Sequence, residues 1–188
     1  MKTLAIVIIL AILFIGCGAA IAKKTKTLDN TSEVSENTIH FVGITIRTDN
    51  KSEMDGKGKI PALWQRFFKE QIMQKIKNKT SHSIYGVYYD YQMGANGKYT
   101  MLVGCRVKDG TNIPDGMVYK KIPATKYMVF TSKKGPVIKN VITLWEYVWN
   151  TWKPTAPTAR SFVADFEEYG KESMNMKNGT AKIYIALK

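Results

Sequence analysis

A short acidic and aromatic run near the C-terminus holds the residues best suited to binding a small molecule. It reads Asp165-Phe166-Glu167-Glu168-Tyr169. Because neighbouring side chains of a β-strand point to opposite faces, Asp165, Glu167 and Tyr169 should share one face. A carboxylate among aromatic rings can bind a cation, since the rings offer electron-rich faces and the acid offers charge. The alternative is that Glu167 is an ordinary solvated residue of a sheet.

The last predicted strand adds another aromatic ring to this arrangement. Tyr184 alternates there with apolar residues. We expect those apolar residues, together with Phe166, to pack beneath helices. Glu167, Tyr169 and Tyr184 would then converge on the face of the sheet that the helices leave open.

The sequence contains no catalytic signature: it has no P-loop, no GxGxxG and no GxSxG. Cys105 could pair with His40 or His82, but it lies in an apolar run and is expected to be a buried, inert thiol. With Cys17 as the second cysteine and two histidines in all, a four-cysteine zinc site or a histidine-rich metal cluster cannot be assembled. We therefore expect neither a metal nor a cofactor.

The elements that must position these residues follow the same order in each half of the chain. Period-two and helical patterns predict strand, helix, strand, strand, and then the same series again. The predicted segments are 39–47, 61–78, 83–91 and 98–107 in the first half, and 126–132, 137–152, 160–169 and 180–188 in the second. This order predicts an α+β fold with one antiparallel-dominated sheet, both helices on one face and a ligand groove on the other.

The N-terminal region has the composition of a targeting segment. Residues 4–22 carry no charge, and lysines flank them on both sides. Within this run, Phe14-Ile15-Gly16-Cys17 resembles a bacterial lipobox. We expect residues 1–16 to be a cleaved lipoprotein-like signal peptide and Cys17 to be lipidated, which would anchor the protein in the cell membrane with its domain outside the cytoplasm. The alternative is an uncleaved single-helix anchor, because the run is long enough to cross a bilayer.

The rest of the chain divides into a polar tether at residues 17–37 and a domain at residues 38–188. A length of 188 residues with 45% hydrophobic content suits one domain of ordinary size. The chain has 28 basic and 15 acidic residues, a net charge of +13. Because the lysines are scattered, we expect either a solvated surface or attraction to anionic headgroups, rather than a nucleic-acid site. We also expect a monomer.

Several short motifs follow one another through residues 38–188. They are Ile60-Pro61-Ala62-Leu63-Trp64, Tyr85-Gly86-Val87-Tyr88-Tyr89, Gly97-Lys98-Tyr99-Thr100, Ile122-Pro123-Ala124-Thr125, Asp165-Phe166-Glu167 and Ile183-Tyr184-Ile185. Their order resembles that of the GyrI-like small-molecule-binding domain, which is also the effector-binding domain of AraC- and MerR-type regulators.

This resemblance implies two strand–helix–strand–strand repeats with a ligand groove between them. It also implies hydrophobic, often cationic ligands, held by aromatic walls and a buried acid. Glu167 occupies the acidic position of the family and Tyr184 the aromatic position on the last strand. Tyr88 or Tyr89 would supply another wall, and Trp64 would close the groove from the first helix or pack in the core.

Lys182 departs from the family pattern, because many of these regulators carry a second acid two residues before the tyrosine of the last strand. No helix-turn-helix segment precedes the domain, so we expect a stand-alone module. The favoured function is a membrane-tethered protein that senses or sequesters hydrophobic small molecules, cationic ones among them. The alternatives are a hydrolase acting on small strained toxic molecules in the same groove and a protein-inhibitory module of the gyrase-inhibitor type.

Overall fold

The computed structural model describes residues 30–155 and 159–188. Each of its strands and helices falls within these ranges. In chain order they are β1 (Thr31–Glu36), β2 (Ile39–Asp49), α1 (Asn50–Met54), α2 (Ile60–Lys69), α3 (Ile72–Lys75), β3 (Ile84–Tyr89), β4 (Lys98–Val107), β5 (Val118–Ile122), β6 (Thr125–Thr131), α4 (Val137–Asn150), β7 (Ala164–Tyr169), a 3-10 turn (Lys171–Ser173) and β8 (Lys182–Ala186).

The described strands form one eight-stranded sheet in the order β1-β6-β8-β7-β3-β4-β2-β5. Every pairing in it is antiparallel. The fold is therefore α+β with an antiparallel sheet, as predicted. The central strands β7 and β3 come from different repeats, and their pairing brings the acidic run of β7 beside the tyrosines of β3.

The two edge strands were not predicted. Thr31–Glu36 lies in the region expected to be a polar tether, yet it pairs with β6 along its whole length. Val34 packs against the core, and Glu36 forms an ion pair with Arg106 of β4 at 3.0 Å. The other edge strand, Val118–Ile122, pairs with β2. The tether prediction is thus wrong for residues 31–36, because a short edge strand with polar residues lacks the apolar alternation that marks a central strand.

The first predicted helix is shorter than expected and is followed by a separate turn. Pro61 lies in the first turn of α2, where its missing N–H costs no hydrogen bond. The side chain of Glu53 caps this end, since it accepts bonds from the backbone N–H groups of Lys59 and Ile60. At the other end Gln71 adopts a left-handed conformation, which separates α2 from the single turn α3.

Both faces of the sheet are buried. Helices α2 and α4 cover one face, where Phe67 packs on β2 and β4 and Leu144 on β8. The other face curls into a second core, so that Ile122 at one edge and Tyr127 near the other lie in the same apolar cluster. Phe166 belongs to this second core. The prediction of an open face opposite the helices is therefore wrong.

Residues 30–188 contain every strand pairing of the described sheet and the three apolar clusters that fill it. A fragment that begins at residue 30 thus carries the whole described fold. Across residues 30–155 and 159–188, the helices are too short and too polar to cross a membrane. The predicted signal peptide and its lipidated Cys17 lie outside the described residues.

Candidate functional site

A cavity of about 570 Å³ opens between α2 and α4, on the face of the sheet that these helices cover. Its floor is formed by Tyr88 of β3 and by Glu167 and Tyr169 of β7, and its walls include Trp64 of α2 and Trp145 of α4. The groove was predicted on the opposite face, which is instead filled by the second core. The cavity arises where two helices, one from each repeat, diverge above the central strands.

Glu167 lies at the base of the cavity and is only 4% exposed. One carboxylate oxygen accepts bonds from Trp145 Nε1 at 2.7 Å and from the Tyr88 hydroxyl at 2.8 Å. The other accepts a bond from the Tyr169 hydroxyl at 2.9 Å. Burial raises the pKa of Glu167, and these three donors oppose that rise only in part. No cationic group of the described residues lies within salt-bridge distance of this carboxylate.

Gly86 makes the room in which Glu167 lies. The two residues are partners in the pairing of β3 with β7. A Cβ added at Gly86 would lie 2.9 Å from a carboxylate oxygen of Glu167 and 3.1 Å from Met101 Cε. A side chain at this position would therefore push the end of the Glu167 side chain out of its observed place, so the glycine lets the carboxylate lie where it does.

A second acid of β7 is neutralised, in contrast to Glu167. Asp165 is fully buried and forms an ion pair with Arg160 at 2.6 Å. It also accepts bonds from the Tyr91 hydroxyl at 2.8 Å and from the backbone N–H of Ala186 at 2.9 Å. Arg160 itself reaches the cavity wall. The charge of Asp165 is thus compensated by a residue of the cavity wall, whereas Glu167 at the floor has no such partner among the described residues.

Exposed apolar side chains surround the mouth of the cavity. Phe68 and Trp149 are each 40% exposed, and Met54 and Met174 are also exposed. All four line the cavity. Trp149 stacks on Trp145 with ring centroids 5.6 Å apart. The helical spacing of Trp145 and Trp149 predicts that both face the core, but Trp149 lies at the rim, whereas its neighbour Val148 is buried in the core.

Four of the predicted site residues meet in this cavity: Glu167, Tyr88, Tyr169 and Trp64. The prediction that Glu167 and Tyr169 lie away from the helices is wrong, although Asp165, Glu167 and Tyr169 do share a face. The prediction of the face failed because Phe166, which was expected to face the helices, packs instead into the second core.

Tyr89 and Tyr184 do not reach the cavity, because both lie on the opposite face of the sheet. Tyr184 stacks on Phe166 with ring centroids 4.3 Å apart, and its hydroxyl donates a bond to Glu168 at 2.8 Å. Their assignment to the same site as Glu167 is therefore wrong in this structure. It depended on the same reversed choice of face.

Sequence reasoning missed two residues of the site. Trp145 was assigned to the core, and nothing in the pattern of α4 indicated that its indole N–H would meet an acid from β7. Arg160 was counted only as part of a strand. The sequence signal for its contact with Asp165 was that Arg160 lies five residues before that acid. The contact depends, however, on a loop in which Phe162 adopts a left-handed conformation, and sequence periodicity does not predict such a loop.

Cys105 is buried, and burial raises the pKa of its thiol to about 11. The thiol is therefore protonated at neutral pH and cannot act as a nucleophile. Within the described part of the chain, histidines, cysteines and acids form no cluster of three or more that could hold a metal ion.

Comparison with known proteins relates this fold and cavity to effector-binding domains. Residues 34–187 match the family described as Cass2, integron-associated effector binding protein. YobU of Bacillus subtilis (strain 168), described as a candidate transcriptional regulator, is 32% identical over 149 residues, which cover 79% of this chain and 91% of YobU.

Solved structures show the same fold. An integron cassette protein from the mobile metagenome of Vibrio cholerae has a TM-score of 0.65 and 27% identity, and the match covers 85% of this chain and 97% of that one. The structure of SAV2435 bound to tetraphenylphosphonium has a TM-score of 0.68 at 19% identity, with 85% and 94% covered. Because the family match takes in the sheet and both helices around the cavity, the chain belongs to the Cass2 family of effector-binding proteins, which are small-molecule-binding domains.

Proposed function

We propose that this protein binds hydrophobic, cationic small molecules in the cavity between α2 and α4, with Glu167 as the counter-ion, and thereby senses or sequesters them. One observation carries the proposal. A buried carboxylate at the floor of an aromatic cavity has three neutral hydrogen-bond donors and no cation beside it among the described residues.

The energetics of a buried charge favour this function. Taking an ionised carboxylate out of water costs several kcal/mol unless a positive charge compensates it. The hydroxyls of Tyr88 and Tyr169 and the indole of Trp145 satisfy the hydrogen-bonding capacity of Glu167, but they are neutral. A cationic ligand would supply the missing charge. The faces of Trp64 and Trp145 would add cation–π attraction and apolar contact.

The size and surface of the cavity fit such a ligand. Its volume of about 570 Å³ is within the range of small-molecule sites, roughly 300–1,000 Å³. Phe68 and Trp149 at the mouth offer rings to a ligand that is only partly enclosed. The binding of tetraphenylphosphonium, an aromatic cation, by a protein of the same fold is consistent with this class of ligand.

Tetraphenylphosphonium is therefore the probe for the first experiment. Titrated into the fragment of residues 30–188 and followed by tryptophan fluorescence, it should bind, and Glu167→Gln should weaken binding by about tenfold or more, because that change removes the charge and keeps the shape. Glu168→Gln is the matched control, since Glu168 lies on the other face with Tyr85 and Tyr184. Equal effects of the two substitutions would contradict the proposal.

We further propose that a lipid on Cys17 anchors the domain to the cell membrane, outside the cytoplasm. The support is the uncharged run of residues 4–22 and the lipobox-like sequence that ends at Cys17. Cys17→Ser should leave the full-length precursor unprocessed and without acyl groups. An unmodified chain beginning at Met1, found by intact-mass measurement of the membrane fraction, would favour the uncleaved anchor helix instead.

A further inference from the structure

We propose that Arg160 is a second recognition point of the cavity, and that the ligand carries an anionic oxygen, such as a carboxylate, in addition to its cationic group. This inference rests on the proposed function and narrows its ligand class to zwitterionic aromatic molecules. It is based on four features of the cavity wall around Arg160: the geometry of its ion pair, the rings around it, the backbone that holds it and the contact of Trp145 with both Arg160 and Glu167.

The ion pair leaves one end of the guanidinium available. Asp165 accepts from Arg160 Nε at 3.1 Å and from Nη2 at 2.6 Å. Nη2 also lies 3.4 Å from the Tyr91 hydroxyl. The remaining nitrogen, Nη1, has no hydrogen-bond partner within residues 30–155 and 159–188, while Arg160 lines the cavity. Asp165 is therefore buried behind a guanidinium that lines the cavity and still has N–H groups free to donate to an anionic oxygen.

Aromatic rings hold the guanidinium in place. Its central carbon lies 4.4 Å from the centroid of the Phe162 ring, 5.7 Å from that of Tyr91 and 5.8 Å from that of Trp145. With Asp165 fixing its edge, the side chain of Arg160 has little rotational freedom left to lose on binding. Such pre-organisation increases the net contribution of each hydrogen bond to a ligand.

The backbone beside Arg160 is held in an unfavourable conformation. Phe162 has a φ of 59°, which is rare for a bulky residue. Its ring lies over Tyr91 and against Gly94, where an added Cβ would be 3.2 Å from the ring. Strain of this kind persists where surrounding packing imposes it, and it is concentrated at functional sites. Here it places the Phe162 ring against the guanidinium that faces the cavity.

Trp145 contacts both charged points of the cavity. Its N–H donates to Glu167, and its ring lies beside Arg160. A ligand in the cavity beside Trp145 could place a cationic group at Glu167 and an anionic oxygen at Arg160 Nη1. A simple cation such as tetraphenylphosphonium would use only the first of these points.

Two dyes that differ in one group test this inference. Rhodamine 110 has a cationic ring system and a free carboxylate, and rhodamine 123 is its methyl ester. The fragment of residues 30–188 should bind rhodamine 110 more tightly, by about tenfold, because a hydrogen bond to a charged oxygen is stronger than one to a neutral ester. The double substitution Arg160→Met/Asp165→Asn removes both charges together, so that Asp165 is not left buried without its partner. It should abolish the preference between the two dyes.

The outcomes separate this inference from the proposed function. If the wild-type fragment binds both rhodamines equally, or prefers the ester, Arg160 is not a recognition point, although Glu167 can still be the counter-ion. A preference that survives the double substitution also overturns it. If the wild type binds neither dye nor tetraphenylphosphonium, the proposed function fails and this inference with it. If the double variant proves unfolded, Arg160→Lys takes its place. This change keeps the charge and loses the forked donors, so the variant should retain only part of the preference for rhodamine 110.

Discussion

The indole N–H of Trp145 on α4 donates a hydrogen bond to the carboxylate of Glu167 on β7 at a distance of 2.7 Å. This contact connects the helix layer to the sheet layer at the floor of the cavity. It also fixes one cavity wall relative to the acid that we assign as counter-ion. The properties of the site should therefore depend on this bond more than on the general apolar packing of α4.

Trp145→Phe keeps an aromatic ring and removes this donor. The free energy of unfolding should fall by about 1–3 kcal/mol at neutral pH, because a buried carboxylate loses one of its three donors. Chemical denaturation of the 30–188 fragment measures the change. Trp149→Phe is the matched control, because Trp149 stacks on Trp145 and its indole makes no hydrogen bond to an acid of the described chain. If both variants lose the same stability, the bond to Glu167 contributes little.

Trp149→Ala should affect binding more than folding. A tryptophan that is 40% exposed leaves no closed cavity when truncated, so the loss of unfolding free energy should stay below about 2 kcal/mol. Trp145→Ala, in contrast, should cost about 3–5 kcal/mol. Tetraphenylphosphonium affinity, measured by calorimetry, should fall for Trp149→Ala because the ring lines the mouth of the cavity. A large stability loss with unchanged affinity would place Trp149 in the core after all.

The affinity for a cation should depend on pH through Glu167. Burial raises the pKa of this carboxyl, so the folded protein keeps a proton on it at pH values where the unfolded chain, with a pKa of about 4.3, has lost it. In the ligand-free protein, the contribution of this group to the free energy of unfolding is present at low pH. It is lost as the pH rises through the raised pKa. Tetraphenylphosphonium affinity should rise over the same interval and level off above it. In Glu167→Gln the affinity for tetraphenylphosphonium should be nearly independent of pH. If this variant keeps the pH dependence of the wild type, the group whose titration controls binding is not Glu167.

Gly86→Ala should disturb the floor of the cavity. The new Cβ would lie 2.9 Å from a carboxylate oxygen of Glu167 and 3.1 Å from Met101 Cε, so the ends of these two side chains must move. We expect weaker tetraphenylphosphonium binding together with a loss of unfolding free energy of about 1–3 kcal/mol. Gly170→Ala is the control, since Gly170 also lines the cavity but its Cβ would meet only Ser83 Oγ at 3.3 Å. Wild-type affinity in Gly86→Ala would show that the position of Glu167 is not critical.

The edge strand β1 should be needed for a stable sheet. A fragment beginning at residue 38 lacks the strand that pairs with β6, and it leaves Arg106 without Glu36. Compared with the fragment of residues 30–188, its free energy of unfolding should be lower by about 2 kcal/mol or more, from six lost cross-strand pairs. The exposed edge of β6 should also promote self-association, detectable by sedimentation. Equal stability and a monomeric shorter fragment would show that β1 contributes nothing.

The sequence by itself determined the order of strands and helices in each half, and with it the α+β class. These features depend on local periodicity, which every central element of this chain displays. It also determined that Glu167 and Tyr169 share a face, because strand alternation is a property of the backbone. The short polar edge strands β1 and β5 lack such a pattern, since each is buried on little of its surface.

The tertiary structure decided which face carries the site. Phe166 and Ile183 are both apolar and both buried, yet one lies in the second core and the other beneath α4. Alternation cannot distinguish these two environments, because a sheet buried on both faces gives the same pattern in either orientation. The meeting of Glu167 with Trp145, and of Asp165 with Arg160, joins segments whose contact depends on how the helix layer and the loop before β7 pack on the sheet. That packing is a property of the whole fold and has no counterpart in local sequence.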